Sequence, residues 1–120
     1  MTIPQLLDDR ARTHGDRVMV VFDDQEHTYR DFCDRAGRVA GNLKKRGIGP
    51  GDKVALLLAN CPEYLYCFLG LGRIGAVMVP VNPTLTFEEY VFIIRNAEAS
   101  AMVVTPDFLP SLQTILASLP

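Results

Sequence analysis

Three short runs of nearly uninterrupted apolar residues, at 54–58 (VALLL), 76–81 (AVMVPV) and 101–104 (AMVV), limit what this chain can become. Each has strand length, and none alternates with polar residues. Strands of that composition need cover on both faces, the environment of a parallel sheet between helices. The stretches between the runs supply those helices. Pro62 suits a first helical turn, and Thr86-Phe-Glu-Glu89 is a capping-box pattern. The expected fold is α/β, a three-layer parallel βαβαβ core.

The preceding residues read as an N-terminal helix and hairpin laid on that core. Thr2, Pro4 and Gly15 suit the cap, first turn and end of a helix over 3–14, with Ile3, Leu6, Leu7, Ala11 and His14 toward one face. Residues 18–22 and 26–29 form hairpin strands around Asp23-Asp24-Gln25. Thr28 and Asp31 open a helix over 29–46 whose buried stripe is Phe32, Ala36, Val39, Ala40 and Leu43. Lys44, Lys45 and Arg46 complement the dipole at its end, and Gly47 takes a left-handed cap. The helix from Pro62 to about Ile74 is apolar nearly all round and should lie beneath other structure. Phe87, Tyr90, Val91 and Ile94 stripe the next helix, and a last one carries Leu109, Leu112, Ile115 and Leu116.

Composition excludes several classes. With 120 residues, 48% hydrophobic and 22% charged, the chain is one core-forming domain or part of one. A net charge of −2 with interspersed signs gives no electrostatic reason to expect nucleic acid or an anionic membrane as partner. Cys33, Cys61 and Cys67 form no Cys-x-x-Cys pair and read as inert thiols of a reducing, cytoplasmic setting. Residues 64–81 carry a single charge, Arg73, over 18 positions, but Gly70, Gly72, Gly75 and Pro80 interrupt them. They read as helix then strand in a soluble chain, with no transmembrane segment.

Few motifs carry chemistry. Gly70-Leu-Gly-Arg-Ile-Gly75 matches the dinucleotide fingerprint in letters only. That motif needs its glycines after a strand and at a helix N-terminus, where amides and dipole meet a pyrophosphate. Here they fall at a helix C-terminus, so close packing explains them; Gly47-Ile-Gly-Pro-Gly51 fails the same positional test. His14 and His27 have no metal-ligand spacing around them, and no metal site is expected. Glu63, Glu88 and Glu89 suit helix starts, Asp8-Asp9 and Asp23-Asp24 read as solvated acids, and no nucleophile sits beside an activating base. No catalytic residue is assigned. Open α/β sheets bind ligands beyond the carboxyl ends of their strands. Three loops leave such ends: Asn60-Cys61-Pro62, Asn82-Pro83-Thr84 and Thr105-Pro106-Asp107. The second is the candidate site, with polar atoms on a proline-stiffened turn.

Five motifs in register then point to a family. Tyr29-Arg-Asp-Phe32, Gly47-Ile-Gly-Pro-Gly-Asp-Lys-Val-Ala55, Asn60-Cys-Pro-Glu63, Gly75-Ala-Val-Met-Val-Pro-Val-Asn-Pro83 and Ala101-Met-Val-Val-Thr105 resemble the N-terminal part of AMP-forming acyl-CoA synthetases, of the adenylate-forming superfamily. The wording at 60–63 and 78–82 is similar to acyl-CoA ligases, including a carnitine/crotonobetaine-type branch. The resemblance implies that residues 1–120 are an incomplete N-terminal AMP-binding domain of a larger enzyme. It implies ATP, Mg²⁺ and coenzyme A as the parent's cofactors and co-substrates, with a carboxylic acid as substrate. In that family the phosphate loop, the adenine and Mg²⁺ motif, the ribose-binding aspartate and the catalytic lysine lie beyond residue 120. The segment alone is therefore expected to be inactive and, with an unpaired sheet edge, to self-associate. The resemblance also places Asn82, Pro83 and Thr84 beside coenzyme A, in a version lacking the glycines of acetyl-CoA-type members. Two alternatives stay open: an adenylation domain loading a carrier protein, and a stand-alone α/β binding module.

Overall fold

A computed structural model describes residues 2–108 and 110 of the chain. Helix α1 (Ile3–His14) leads into the hairpin β1 (Val18–Phe22) and β2 (Gln25–Thr28), followed by α2 (Tyr29–Lys45). The core unit is β3 (Lys53–Leu57), α3 (Pro62–Arg73), β4 (Val77–Pro80), α4 (Phe87–Ala97) and β5 (Ala101–Val104). A 3₁₀ turn spans Pro106–Phe108. The expected last helix, with Leu109, Leu112, Ile115 and Leu116, lies outside the described residues.

The three apolar runs lie side by side and parallel, in the order β4-β3-β5. Val54 pairs with Met78 on one side and Ala101 on the other. Both faces are covered, as uninterrupted apolar runs require. Val54, Leu56 and Leu58 pack with Cys67 and Leu71 of α3, while Ala55 and Leu57 pack with Tyr90 and Ile94 of α4. Val54, Ala55, Leu56 and Leu57 are each 0% exposed. Full burial of such a side chain is worth about 1.5–3 kcal/mol, so β3 is the most stabilising strand of the sheet. β4 is shorter than its sequence run of 76–81, whereas β5 matches its run. In β4 the odd residues turn toward β3: Val77 N–H donates to Asp52 C=O (2.7 Å) and Val81 N–H to Leu56 C=O (2.9 Å). Pro80 therefore turns its missing N–H to the open edge, where it leaves no ladder bond unmade.

Local signals act where the residues place them. Thr2 and Gln5 cap α1 reciprocally, and Thr28 and Asp31 do the same for α2 at 3.1 Å each way. Hydrogen bonds from Thr28 hold the Asp31 carboxyl below its usual range. Gly47 ends this segment at φ +92°. Two expectations shift at the hairpin. Its turn is Asp23-Asp24 alone, both in left-handed backbone (φ 48° and 63°), so Gln25 already pairs with Phe22. This is the geometry of a type I′ turn, here without glycine. Tyr29 is helical rather than strand, because the Thr28 side chain leaves the ladder to cap α2. At Thr86 only half the expected box forms among the described residues: Glu89 N–H donates to Thr86 Oγ1 (3.3 Å). Of the expected α1 face only Leu7 is buried, with Ile3 and Leu6 exposed; Phe87, at the first position of α4, is also exposed.

Helix α3 lies beneath α1 and α2, as its all-round apolarity requires. Gly70 of α3 sits where that helix touches α2. A Cβ there would stand 2.9 Å from Val39 Cγ1 and 3.0 Å from the Ala36 carbonyl oxygen. The glycines of 70–75 thus serve helix contact and a helix stop, with Gly75 at φ +72°. No described helix is long and apolar enough to cross a membrane.

Gly70→Ala should lower the free energy of unfolding by about 1–2 kcal/mol, overpacking outweighing the helix-propensity gain. Gly41→Ala, on the same helix pair but with nothing within 4 Å of the new Cβ, should raise it by about 0.5–1 kcal/mol. Urea titration of both variants checks the contrast, and equal gains would refute the packing role of Gly70.

Candidate functional site

Strand order determines where a ligand can enter. From β3 the chain crosses through α3 to β4; it then returns through α4, past β3, to β5 on the far side. Crossovers of one hand running in opposite directions must use opposite faces of the sheet, and α3 and α4 do so. The connections leaving β3 and β4 therefore part at their carboxyl ends and open a cleft, the switch point of an open α/β sheet. A cavity of about 600 Å³ occupies it. Leu58, Ala59 and Asn60 line it from the β3 side, Pro80, Val81, Asn82, Pro83 and Thr84 from the β4 side, and Tyr64 from α3.

Two of the three expected loops meet here. Thr105 and Pro106 follow a carboxyl end as well but do not line the cleft, because β5 lies on the other side of β3. Within the first loop only Asn60 reaches it. Cys61 and Pro62 instead border a smaller groove of about 230 Å³ with Val20, Phe22 and Leu65. Tyr64 borders both cavities. It was hidden in the sequence among the apolar residues of its helix. Its signal was position: the third residue after the Cys61 cap, in the turn nearest the sheet edge.

The candidate loop is held by a closed set of bonds. Asn82 Oδ1 accepts from Thr84 N–H (2.9 Å) and from Thr84 Oγ1–H (2.8 Å). The backbone donor fixes that atom as the oxygen, so the amide hydrogens of Asn82 are on the other branch. Asn82 C=O accepts from Leu85 N–H (3.2 Å), and Pro83 C=O accepts from the Tyr90 hydroxyl. Leu85 packs into the α4-side core and anchors the far end. An Asx turn of this kind presents neutral donors and acceptors on a rigid frame.

Among the described residues no charged side chain lines the cleft. The helices that begin at this edge carry Glu63, Glu88 and Glu89 in their first turns, which offset the positive dipole ends. This edge therefore offers shape and neutral hydrogen bonds rather than a phosphate cradle. A family model for the AMP-binding enzyme covers residues 7–119. The chain belongs to this family. Crotonobetaine/carnitine–CoA ligases of Salmonella paratyphi A and Citrobacter koseri are each 38% identical to it, across 92% and 93% of the chain. The chain spans about a fifth of their length (22% and 23%). A putative long-chain-fatty-acid CoA ligase of Rhodopseudomonas palustris superposes with a TM-score of 0.93 at 31% identity, over 100% of this chain and 30% of that one. An adenylation–PCP fusion, NpsA-ThdA of Klebsiella oxytoca, does so at 0.86 and 30% identity, over 92% and 20%. The fold is that of adenylate-forming enzymes.

In this member of the AMP-binding family the thiols are poor nucleophiles. Burial pushes Cys67 up to about 11, with Cys61 and Glu63 adding to the shift. Burial also raises Cys33 and Cys61, aided by Asp8 and Glu63 respectively. His27 lies against Phe32 and Tyr66, away from the cleft, with Nδ1 3.4 Å from the Tyr66 hydroxyl. His14 is on α1, its Nδ1 2.8 Å from Thr13 Oγ1. Among the described residues no three His, Cys, Asp or Glu side chains converge as metal ligands would.

At pH 8 the thiolate fraction of Cys67 should be about 100-fold below that of an ordinary thiol. Timed alkylation read by mass spectrometry should therefore label Cys67 last of the three. Labelling of Cys67 at the rate of a free thiol would contradict its burial.

Proposed function

We propose that this chain is the N-terminal part of an ATP-dependent acid–CoA ligase. In the reaction proposed for the whole protein, a carboxylate oxygen attacks the α-phosphorus of ATP, and the bond to the β-phosphate oxygen breaks. Pyrophosphate leaves with that electron pair. The sulfur of coenzyme A then attacks the acyl carbon, and AMP leaves from the acyl-adenylate. The observation that carries this reading is the 38% identity to crotonobetaine/carnitine–CoA ligases across nearly the whole chain.

The part assigned to these residues lies on the thiol side. Asn82, Pro83 and Thr84 border coenzyme A, meeting it with the Asn82 amide and the Thr84 hydroxyl. The uncharged lining suits the neutral, amide-bearing stretch of such a thiol better than its phosphates. Phosphate charge and Mg²⁺ need cations and carboxylates respectively. Among the described residues the cleft lining has neither, so no step of the adenylation is assigned to it. A second reading, an adenylation domain that loads a carrier protein, is favoured by the resemblance to NpsA-ThdA, at the lower identity of 30%.

The complete protein bearing this sequence, given ATP, Mg²⁺ and a carboxylic acid panel, should release pyrophosphate only with acid present and then form a thioester with free coenzyme A. Residues 1–120 alone should release none, and should self-associate in sedimentation through the open edges of β4 and β5. Transfer to a phosphopantetheinylated carrier but not to free coenzyme A would favour the second reading. Absence of acid-dependent pyrophosphate release from the complete protein would overturn both.

A further inference from the structure

Tyr90 stands in the first turn of α4, 6% exposed, its ring in the core with Ala55, Leu57, Val81 and Ile94. Its polar end does something the core does not need. The hydroxyl donates to the carbonyl of Pro83, in the middle of the candidate loop. The other bonds of that loop are internal: Thr84 to the Asn82 side chain, and Leu85 to the Asn82 carbonyl. Those bonds close the turn on itself and hold the peptide between Pro83 and Thr84 by its N–H; the carbonyl of the same peptide is held from outside the loop. Among the described residues, Tyr90 is the one hydrogen-bond partner recorded for the Pro83 carbonyl. The phenol thereby ties the pose of Thr84 to a helix residue anchored in the core rather than to the loop's own flexibility.

We propose that Tyr90 is a positioning residue for the thiol acceptor, acting through the Pro83 carbonyl on the presentation of Thr84 and Asn82. This rests on reading 82–84 as the coenzyme A side of the cleft. Tyr90 touches no reacting atom; its hydroxyl sets the angle at which the loop meets the thiol-bearing arm. Its ring packing is a separate contribution, which phenylalanine preserves.

Tyr90→Phe in the complete protein separates the two roles. Loss of one neutral hydrogen bond corresponds to about a 3–10-fold effect. KM for coenzyme A should rise by about that factor. Acid-dependent pyrophosphate release, KM for ATP and KM for the acid should stay within about twofold, with the melting midpoint near that of the parent. A second readout does not depend on the ligase reading: amide exchange at Thr84 and Leu85 should accelerate in the variant, while β3 stays as slow as before. Unchanged exchange at Thr84 and Leu85 would overturn the proposal whatever the activity. So would a KM for coenzyme A that does not move, or parallel losses in every parameter, which would mark a structural role. If the parent forms no thioester, the ligase reading fails, and the exchange measurement still decides whether Tyr90 positions the loop.

Discussion

Burial of β3 from both sides is the constraint on which the structure depends. Its residues alternate between two separate cores, Val54 and Leu56 (with Leu58 just beyond the strand) toward α2 and α3, Ala55 and Leu57 toward α4. A strand with a polar face could not be covered twice, and without double cover the two crossovers could not leave on opposite sides. The cleft is a consequence. It exists because β4 and β5 flank β3 and the chain must reverse direction to build both. One apolar run thus links hydrophobic burial, topology and the place where a ligand can enter.

Charge is distributed unevenly over this frame. At the carboxyl edge the cleft is neutral and the helix starts carry glutamates. At the opposite edge the ends of α2 and α3 carry Lys44, Lys45 and Arg73, which complement the negative dipole ends. Lys44 and Arg73 line a cavity there with Gly49, Pro50 and Gly75, and Arg73 also pairs with Asp8 of α1. Cations placed this way stabilise helix ends and tie α1 to the body. Neutral hydrogen bonding is left to the cleft edge, where the Asx turn and Tyr90 supply order without charge.

The strands and long helices were legible because their signals are local. Uninterrupted apolar runs announced parallel strands, and Thr28 with Asp31 announced α2. The hairpin turn was drawn one residue too long, since two aspartates in left-handed backbone carry no glycine to mark them. The exposure of Ile3 and Leu6 was not legible either, because periodicity identifies a helix face without saying what covers it. At the site, the loops after β3 and β4 were found from chain direction alone. The loop after β5 also leaves a carboxyl end, but its separation from the other two was not legible, because strand order is decided by where crossovers land, which residue patterns do not encode. Tyr64 and Tyr90 were hidden for a related reason. An aromatic at helical spacing reads as core, and only folding shows that one hydroxyl reaches the candidate loop while the other residue lines the cleft.

Amide hydrogen exchange on the complete protein, with and without coenzyme A, is the decisive measurement. A binding cleft at the parting of β3 and β4 requires slow exchange along 54–57 in both states and added protection by coenzyme A at 58–60 and 81–85. Protection that appeared instead at the opposite edge, around 48–52 and 73–76, or fast exchange along β3, would contradict it.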